Sequence, residues 1–262
     1  MNVTLYLSLN TIPAIFILTL FLLREKNKEP LSIVLSAFAL TYIIVLPLDL
    51  LISIVDPYLE SNFDNQHFFS LNDFFRAAFL EEFLKFSVMF LFVYRQTHFD
   101  ELSDGIIYGI AVGLGYAVVE NYNYLFIDYL GQKPMEEFIM NRWWALIVHV
   151  SLGIIMGMFL AKSKIKKFSN KIMMTLALVI PIFIHGLHNY TFASEKLYQL
   201  YIDYFIFGFN LLLIIVSFIF LRKLENIKLD INNKGELKDY FTTIFAGLIF
   251  SLIFAFIFGF IH

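Results

Sequence analysis

The chain has 262 residues, 59% hydrophobic and 16% charged, where an ordinary soluble domain is about 45–50% apolar and about 25% charged. Its mean hydropathy of +0.73 excludes a soluble globular enzyme and a disordered chain, and a net charge of −3 leaves no basic surface for a nucleic acid. Cysteine is absent, which removes disulfides, thiolate metal sites and a cysteine nucleophile.

A helix crossing a membrane needs about 20 mostly apolar residues. Eight such stretches follow one another: Val3–Leu23, Leu31–Val55, Phe74–Tyr94, Asp104–Phe126, Asn141–Ala161, Lys171–Phe192, Leu200–Leu221 and Tyr240–Ile261. Strand alternation is absent and the runs are too long for a barrel, so helices are the way to satisfy the backbone in lipid. The expected fold is all-α: a polytopic membrane protein of about eight transmembrane helices, forming one transmembrane domain over residues 1–262. The first stretch lacks a positive leader, and its basic residues Arg24, Lys26 and Lys28 follow the apolar run, which reads as an uncleaved helix.

Loop charges set the orientation. The loops after the odd-numbered spans carry Arg24, Lys26 and Lys28; Arg95; Lys162, Lys164, Lys166, Lys167 and Lys171; and Arg222, Lys223, Lys228, Lys234 and Lys238. The opposite loops carry only Lys133, Arg142 and Lys196. Positive residues collect on the cytoplasmic side, which predicts a multi-pass protein of the cell membrane with both termini extracytoplasmic. The loop Asp56–Asp73 reads as a solvated outer loop, with a lid or partner contact as the alternative, and the Arg222–Asp239 loop, with Asn232-Asn233-Lys234-Gly235, as a flexible cytoplasmic turn.

Ionisable residues inside spans are costly and mark function. The third span carries Glu81-Glu82-Phe83-Leu84-Lys85, with Lys85 one turn from both acids; a structural ion pair accounts for one acid and leaves the other over. The fourth carries Glu120, four residues after Tyr116, on the face of a Gly105/Gly109/Gly113 ridge that permits close helix approach. The fifth carries His149 with Gly153 and Gly157 at helical spacing, while Arg142, Trp143 and Trp144 read as its outer interface. The sixth carries His185-Gly186-Leu187-His188-Asn189; His185 and Asn189 share a face, and Pro181 reads as a kink just before them. Glu81, Glu120, His149 and His185 each lie about six to eight residues from the outer end of their span, about 10 Å deep at about 1.5 Å per residue. Four helices, the third to the sixth, thus bring polar groups to one level and form the expected core bundle.

Two acids and two imidazoles near an aqueous face suit water activation, and His185 with Asn189 suits a carbonyl or oxyanion. Glutamate and neutral histidine also suit a divalent metal such as zinc, with Glu120, His149 and His185 the candidate ligands. The HExxH of zincins, the GxGD of aspartyl intramembrane proteases and the rhomboid Gly-x-Ser-Gly are all absent. The same buried acids would serve a proton-coupled transporter, and a non-catalytic membrane scaffold would use them only for packing.

Glu81-Glu82-x-x-Lys85, Tyr116-x-x-x-Glu120, His149 with Gly153 and His185-x-x-x-Asn189 resemble the motifs of the PrsW-type intramembrane proteases, relatives of the CAAX-protease and bacteriocin-processing (ABI/CPBP) clan. The run from Asp104 to Asn121 is the most specific part, and the resemblance covers about residues 74–192, with flanking helices over 1–55 and 200–262. It implies an intramembrane endopeptidase, glutamate-type or metal-dependent, in which Glu81 activates water with help from Glu82 or Glu120. It further implies that His185 and Asn189 hold the oxyanion, that His149 lines the site or binds a metal, and that Lys85 and Tyr116 support them. The implied partner is a membrane-anchored anti-sigma factor cut at an extracytoplasmic site. Tyr116 stands where the family usually has Phe. Asn189 stands where it usually has Asp, as in the CAAX cousins, which keeps the oxyanion role and weakens an Asp-dependent metal role.

Overall fold

The computed structural model describes residues 3–62, 72–130, 135–165, 169–192 and 197–259. Among them the chain is a succession of helices: α1 (Val3–Arg24), α2 (Leu31–Asn62), α3 (residues 72–93), α4 (Leu102–Leu130), α5 (Met135–Ser163), α6 (Asn170–Phe192), α7 (Leu197–Leu224) and α8 (Leu237–Gly259). The all-α expectation holds. Among the described residues, five segments are long and apolar enough to cross a membrane: Leu102–Tyr124, Ile139–Ser163, Asn170–Thr191, Tyr201–Leu224 and Leu237–Phe258.

The third expected span behaves differently. α3 carries Asp73, Arg76, Glu81, Glu82 and Lys85, too much charge for a lipid-facing helix, and the other helices enclose it. It is wound as a π-helix over Asn72–Phe79, an α-helix over Leu80–Val88 and a π-helix again over Met89–Val93. Wider turns of this kind re-aim side chains and recur at functional sites. Here they flank the segment that bears both acids and the lysine. Phenylalanines brace it: Phe75 stacks on Phe79 and Phe79 on Phe83, with ring centroids 5.8 and 6.0 Å apart.

α4 is the central helix. Its Gly105, Gly109 and Gly113 lie against Gly157, Gly153 and His149 of antiparallel α5. A Cβ on Gly109 would collide with the Gly153 carbonyl oxygen, and one on Gly153 with that of Gly109. The two backbones therefore touch, the close approach that small residues allow in membranes. This seam fixes the register: His149 sits opposite Gly113 and so reaches the face of α4 that bears Tyr116 and Glu120. α7 and α8 lie outermost, with Phe205 and Phe241 more than half exposed.

Several boundaries differ from the expectation. α2 continues to Asn62 and α3 starts at Asn72, so both ends of the expected Asp56–Asp73 loop are helical; residues 63–71 lie outside the described residues. So do Lys133, Lys166, Lys167 and Lys196 from the loop tally. The 222–239 segment is no flexible turn. A β-bridge joins Lys228 to Glu101, and backbone bonds of 2.9 Å (Leu102 N–H to Ile227 O) and 2.7 Å (Leu229 N–H to Asp100 O) pin it to the start of α4. Gly235 takes φ of 65°, where a side chain would also strike the Phe90 ring. Lys164 is buried there, its ammonium 4.6 Å from the Tyr94 ring centre and donating to the Phe99 carbonyl at 3.2 Å.

Candidate active site

Glu82 and Lys85 are one turn apart on α3, and Lys85 Nζ donates to Glu82 Oε1 at 2.6 Å, with both side chains fully buried. Such a pair survives burial only when further polar contacts complete it. Both residues have them. Lys85 Nζ lies 2.8 Å from His149 Nδ1 and 4.4 Å from the Tyr116 ring centre. Glu82 Oε1 lies 2.9 Å from His185 Nδ1. His149 Nε2 is 2.8 Å from Glu120 Oε2, and the two imidazoles meet edge to face at 5.2 Å. One unbroken line therefore runs Glu120–His149–Lys85–Glu82–His185 through α4, α5, α3 and α6.

Donor logic fixes the ring states. An ammonium only donates, so His149 Nδ1 accepts and its Nε2–H donates to Glu120. Glu82 only accepts as a carboxylate, so His185 Nδ1 carries the proton and Nε2 is left facing Glu81. Glu81 Oε2 is 3.8 Å from that Nε2, beyond hydrogen-bond reach, and has no hydrogen-bond partner among the described residues. The Glu81 side chain keeps 12% of its surface exposed, where that of Glu82 keeps none.

A cavity of about 170 Å³ opens beside these groups. Glu120, Tyr124, Asn141, Arg142, Ala145, Val148, His149, His185, His188 and Asn189 line it. His185 and Asn189, one turn apart on α6, both reach it. Of the residues singled out in the sequence, Glu82, Lys85, Tyr116, Glu120, His149 and His185 are brought together by direct contact, Glu81 stands 3.8 Å from His185, and Asn189 joins them on the cavity wall.

Ligand atoms of Glu81, His149 and His185 lie within 4.8 Å of one another. Glu120, also a candidate ligand, has its carboxylate on the outer nitrogen of His149. The set suits a divalent metal ion in kind, because carboxylate and neutral imidazole are zinc ligands. Glu81 Oε2 has a free lone pair, and so does His185 Nε2 while the ring is neutral. His149 would join them on releasing Lys85 or Glu120.

Three further residues escaped sequence reasoning. Arg142 is not an interface anchor. It is 8% exposed, with Nη1 3.6 Å from Glu120 Oε1 and its guanidinium carbon 4.0 Å from the Tyr124 ring centre. Asp203 of α7 holds His188 Nδ1 at 2.7 Å, behind the cavity wall. Tyr124 completes the mouth. The available signal was spacing: Glu120 and Tyr124 are one turn apart, and Arg142 lies two turns from His149. Of the neighbouring tryptophans, Trp143 is exposed and donates to the Leu9 carbonyl at 3.0 Å, whereas Trp144 is half-buried and packs on Phe207 at 4.2 Å.

Carboxylates and imidazoles that share buried hydrogen bonds beside a small cavity, inside a bundle of membrane-length helices, suit an intramembrane hydrolase. The family described as PrsW family intramembrane metalloprotease matches residues 29–221. The chain is 33% identical over 184 residues to Protease PrsW of Oceanobacillus iheyensis, covering 70% of this chain and 81% of that one. It is 32% identical over 184 residues to Protease PrsW of Bacillus subtilis (70% and 80%) and 28% identical over 207 residues to that of Geobacillus kaustophilus (76% and 84%). No solved structure matches. The chain belongs to the PrsW family, and it is a membrane protease.

Proposed function

We propose that this protease hydrolyses a peptide bond of a membrane-anchored protein near the extracytoplasmic face, and that Glu81 activates the water. The observation that supports it most directly is the pair formed by Glu81 Oε2 and His185 Nε2, 3.8 Å apart, the former with no hydrogen-bond partner among the described residues. A water seated between them can bond to both, and His185 leads from there to the cavity.

The step then balances as follows. The water oxygen bonds to the scissile carbonyl carbon while its proton passes to Glu81. The Asn189 amide N–H, with His185 Nε2–H when that ring carries a second proton, holds the oxyanion. The C–N bond breaks, its electron pair goes to the nitrogen, and Glu81 returns the proton to the leaving amine. Glu82 and Lys85 orient the two imidazoles, and Glu120 holds His149. A divalent ion, held by Glu81, His149 and His185, would supply Lewis-acid polarisation of the water or carbonyl. His185 cannot donate to an oxyanion and offer a lone pair to an ion at once, so its protonation decides which role it takes.

The loop charges support an outer position for this end of the bundle, termini outside and residence in the cell membrane. The catalytic core is the region of about residues 74–192, with the flanking helices around it. A membrane-anchored anti-sigma factor is the substrate that the family resemblance suggests. The test is cleavage of such a protein by the purified chain in micelles. Glu81→Gln should lower the rate by about 100- to 10,000-fold while the thermal midpoint stays in place. Wild-type cleavage by that variant removes Glu81 from the role.

A further inference from the structure

Arg142 occupies an unusual position for a cation. It lines the cavity on α5, its side chain is nine-tenths buried, and among the described residues its Nε and Nη1 have no hydrogen-bond acceptor. Among the described residues its acidic partner is Glu120, an ion pair at 3.6 Å from Nη1, longer than a hydrogen bond, whose other oxygen is on His149. Buried donors without acceptors are costly, and those of a charged group most of all. The guanidinium carbon lies 4.0 Å from the Tyr124 ring centre, a cation–π contact that supplies no hydrogen-bond acceptor. Guanidinium groups left with open donors in a pocket match carboxylates, which satisfy charge and donors together.

We propose that Arg142 is the anion subsite of the cavity, and that the peptide it admits carries an Asp or Glu side chain beside the scissile bond. This rests on the proteolytic reading above and names the substrate feature that the same site selects. The cavity wall fits the assignment. The cavity lining includes Asn189 and His185 of α6, suited to the scissile carbonyl, and Arg142 and Asn141 of α5. A substrate strand lying between the two helices presents its carbonyl to one wall and a neighbouring side chain to the other. Nε and Nη1 then gain the acceptors they lack.

Binding is measured separately from turnover, on the Glu81→Gln protein in micelles. The probes are two fluorescent, end-capped hexapeptides that differ only in one Glu or Gln. The Glu peptide should bind about 10- to 100-fold more tightly, the worth of a hydrogen bond to a charged group. In Glu81→Gln/Arg142→Gln the ratio should fall to about one, and in Glu81→Gln/Arg142→Lys a part of it should return. Arg142→Glu in the active chain should shift cleavage from acidic to Lys-containing peptides. Equal binding of the two peptides by the parent, or a ratio that survives Arg142→Gln, overturns the proposal. So does an Arg142→Gln variant that weakens both peptides alike, which would make Arg142 a brace for Glu120. Failure of the proteolytic reading looks different: the Glu/Gln ratio holds while no peptide is cut by the wild-type chain.

Discussion

Lys85 Nζ and His149 Nδ1 lie 2.8 Å apart, an ammonium donor on an imidazole acceptor, buried where neither can exchange its partner for water. The contact ties α3 to α5 and turns the other face of the ring toward Glu120. Lys85 also neutralises Glu82 at 2.6 Å. Removing the lysine therefore strands a buried carboxylate and frees His149 to flip its tautomer. Lys85→Met should cost about 3–5 kcal/mol of stability. Lys85→Met with Glu82→Gln should recover a part of that loss, because the stranded charge is gone. Equilibrium denaturation of the single and double variants in mixed micelles gives the coupling. Additive losses would show that the pair is no unit.

The α4–α5 seam predicts a contrast between glycines. At Gly109 or Gly153 a methyl group would meet a carbonyl oxygen of the facing helix, which cannot move aside as a side chain could. Gly109→Ala should push the helices apart and cost about 1–3 kcal/mol. It should also slow cleavage, because His149 and Glu120 meet across the same seam. At Gly208, in the middle of α7, a Cβ meets nothing within 4 Å. Gly208→Ala should be neutral or stabilise by up to about 1 kcal/mol. Thermal midpoints of the two variants in one detergent make the comparison.

Helix number, the glycine seam and the level of the polar residues were legible in the sequence because each depends on local pattern: apolar length, four-residue spacing, distance from a span end. What was hidden depends on the neighbours of a residue. Arg142 sits beside two tryptophans at a span end, which is the pattern of an interface anchor; only the packing of α4 against α5 turns it toward Glu120. Which acid reaches which imidazole has a similar cause. Depth along a helix gives the level of a carboxylate, but its azimuth depends on helix crossing, and the π-turns of α3 alter that azimuth. The 222–239 segment looked mobile from its Asn-Asn-Lys-Gly run, and its order comes from a bridge to residues far away in the chain.

His188 and Asp203 make a prediction separate from the central line. Their 2.7 Å contact, with Thr191 Oγ1 also 3.5 Å from the Asp203 carboxylate, ties α6 to α7 behind the cavity. His185 is held independently by Glu82. Asp203→Ala should therefore lower stability by about 1–3 kcal/mol, the cost of a buried imidazole left without its acceptor. Cleavage should fall less than in Glu82→Gln, which releases His185 itself. Comparing kcat/KM and denaturation midpoints for both variants tests the separation. An Asp203→Ala loss as large as that of Glu82→Gln would mean that α7 positions the site.

The turn between α1 and α2 should make stability depend on pH. Glu25 Oε2 accepts the Glu29 N–H at 3.2 Å, while Oε1 is buried with no partner. Glu29 Oε2 accepts the Tyr108 hydroxyl at 2.5 Å. Carboxylate oxygens of Glu25, Glu29 and Asp104 lie within 4.8 Å of one another. Burial, and after it the neighbouring acids, push Glu25 up from 4.5 to about 7, and burial does the same for Glu29. A carboxyl raised on folding binds its proton more tightly in the folded chain than in the unfolded one. The contribution to stability is thus complete below about pH 4.5, shrinks as pH rises, and is gone above about pH 7. The thermal midpoint in detergent should accordingly fall between pH 5 and pH 8. Glu25→Gln with Glu29→Gln should flatten that slope and raise the midpoint at pH 8, since an amide carries no charge to bury. A slope unchanged in the double variant would place the titration elsewhere in the chain.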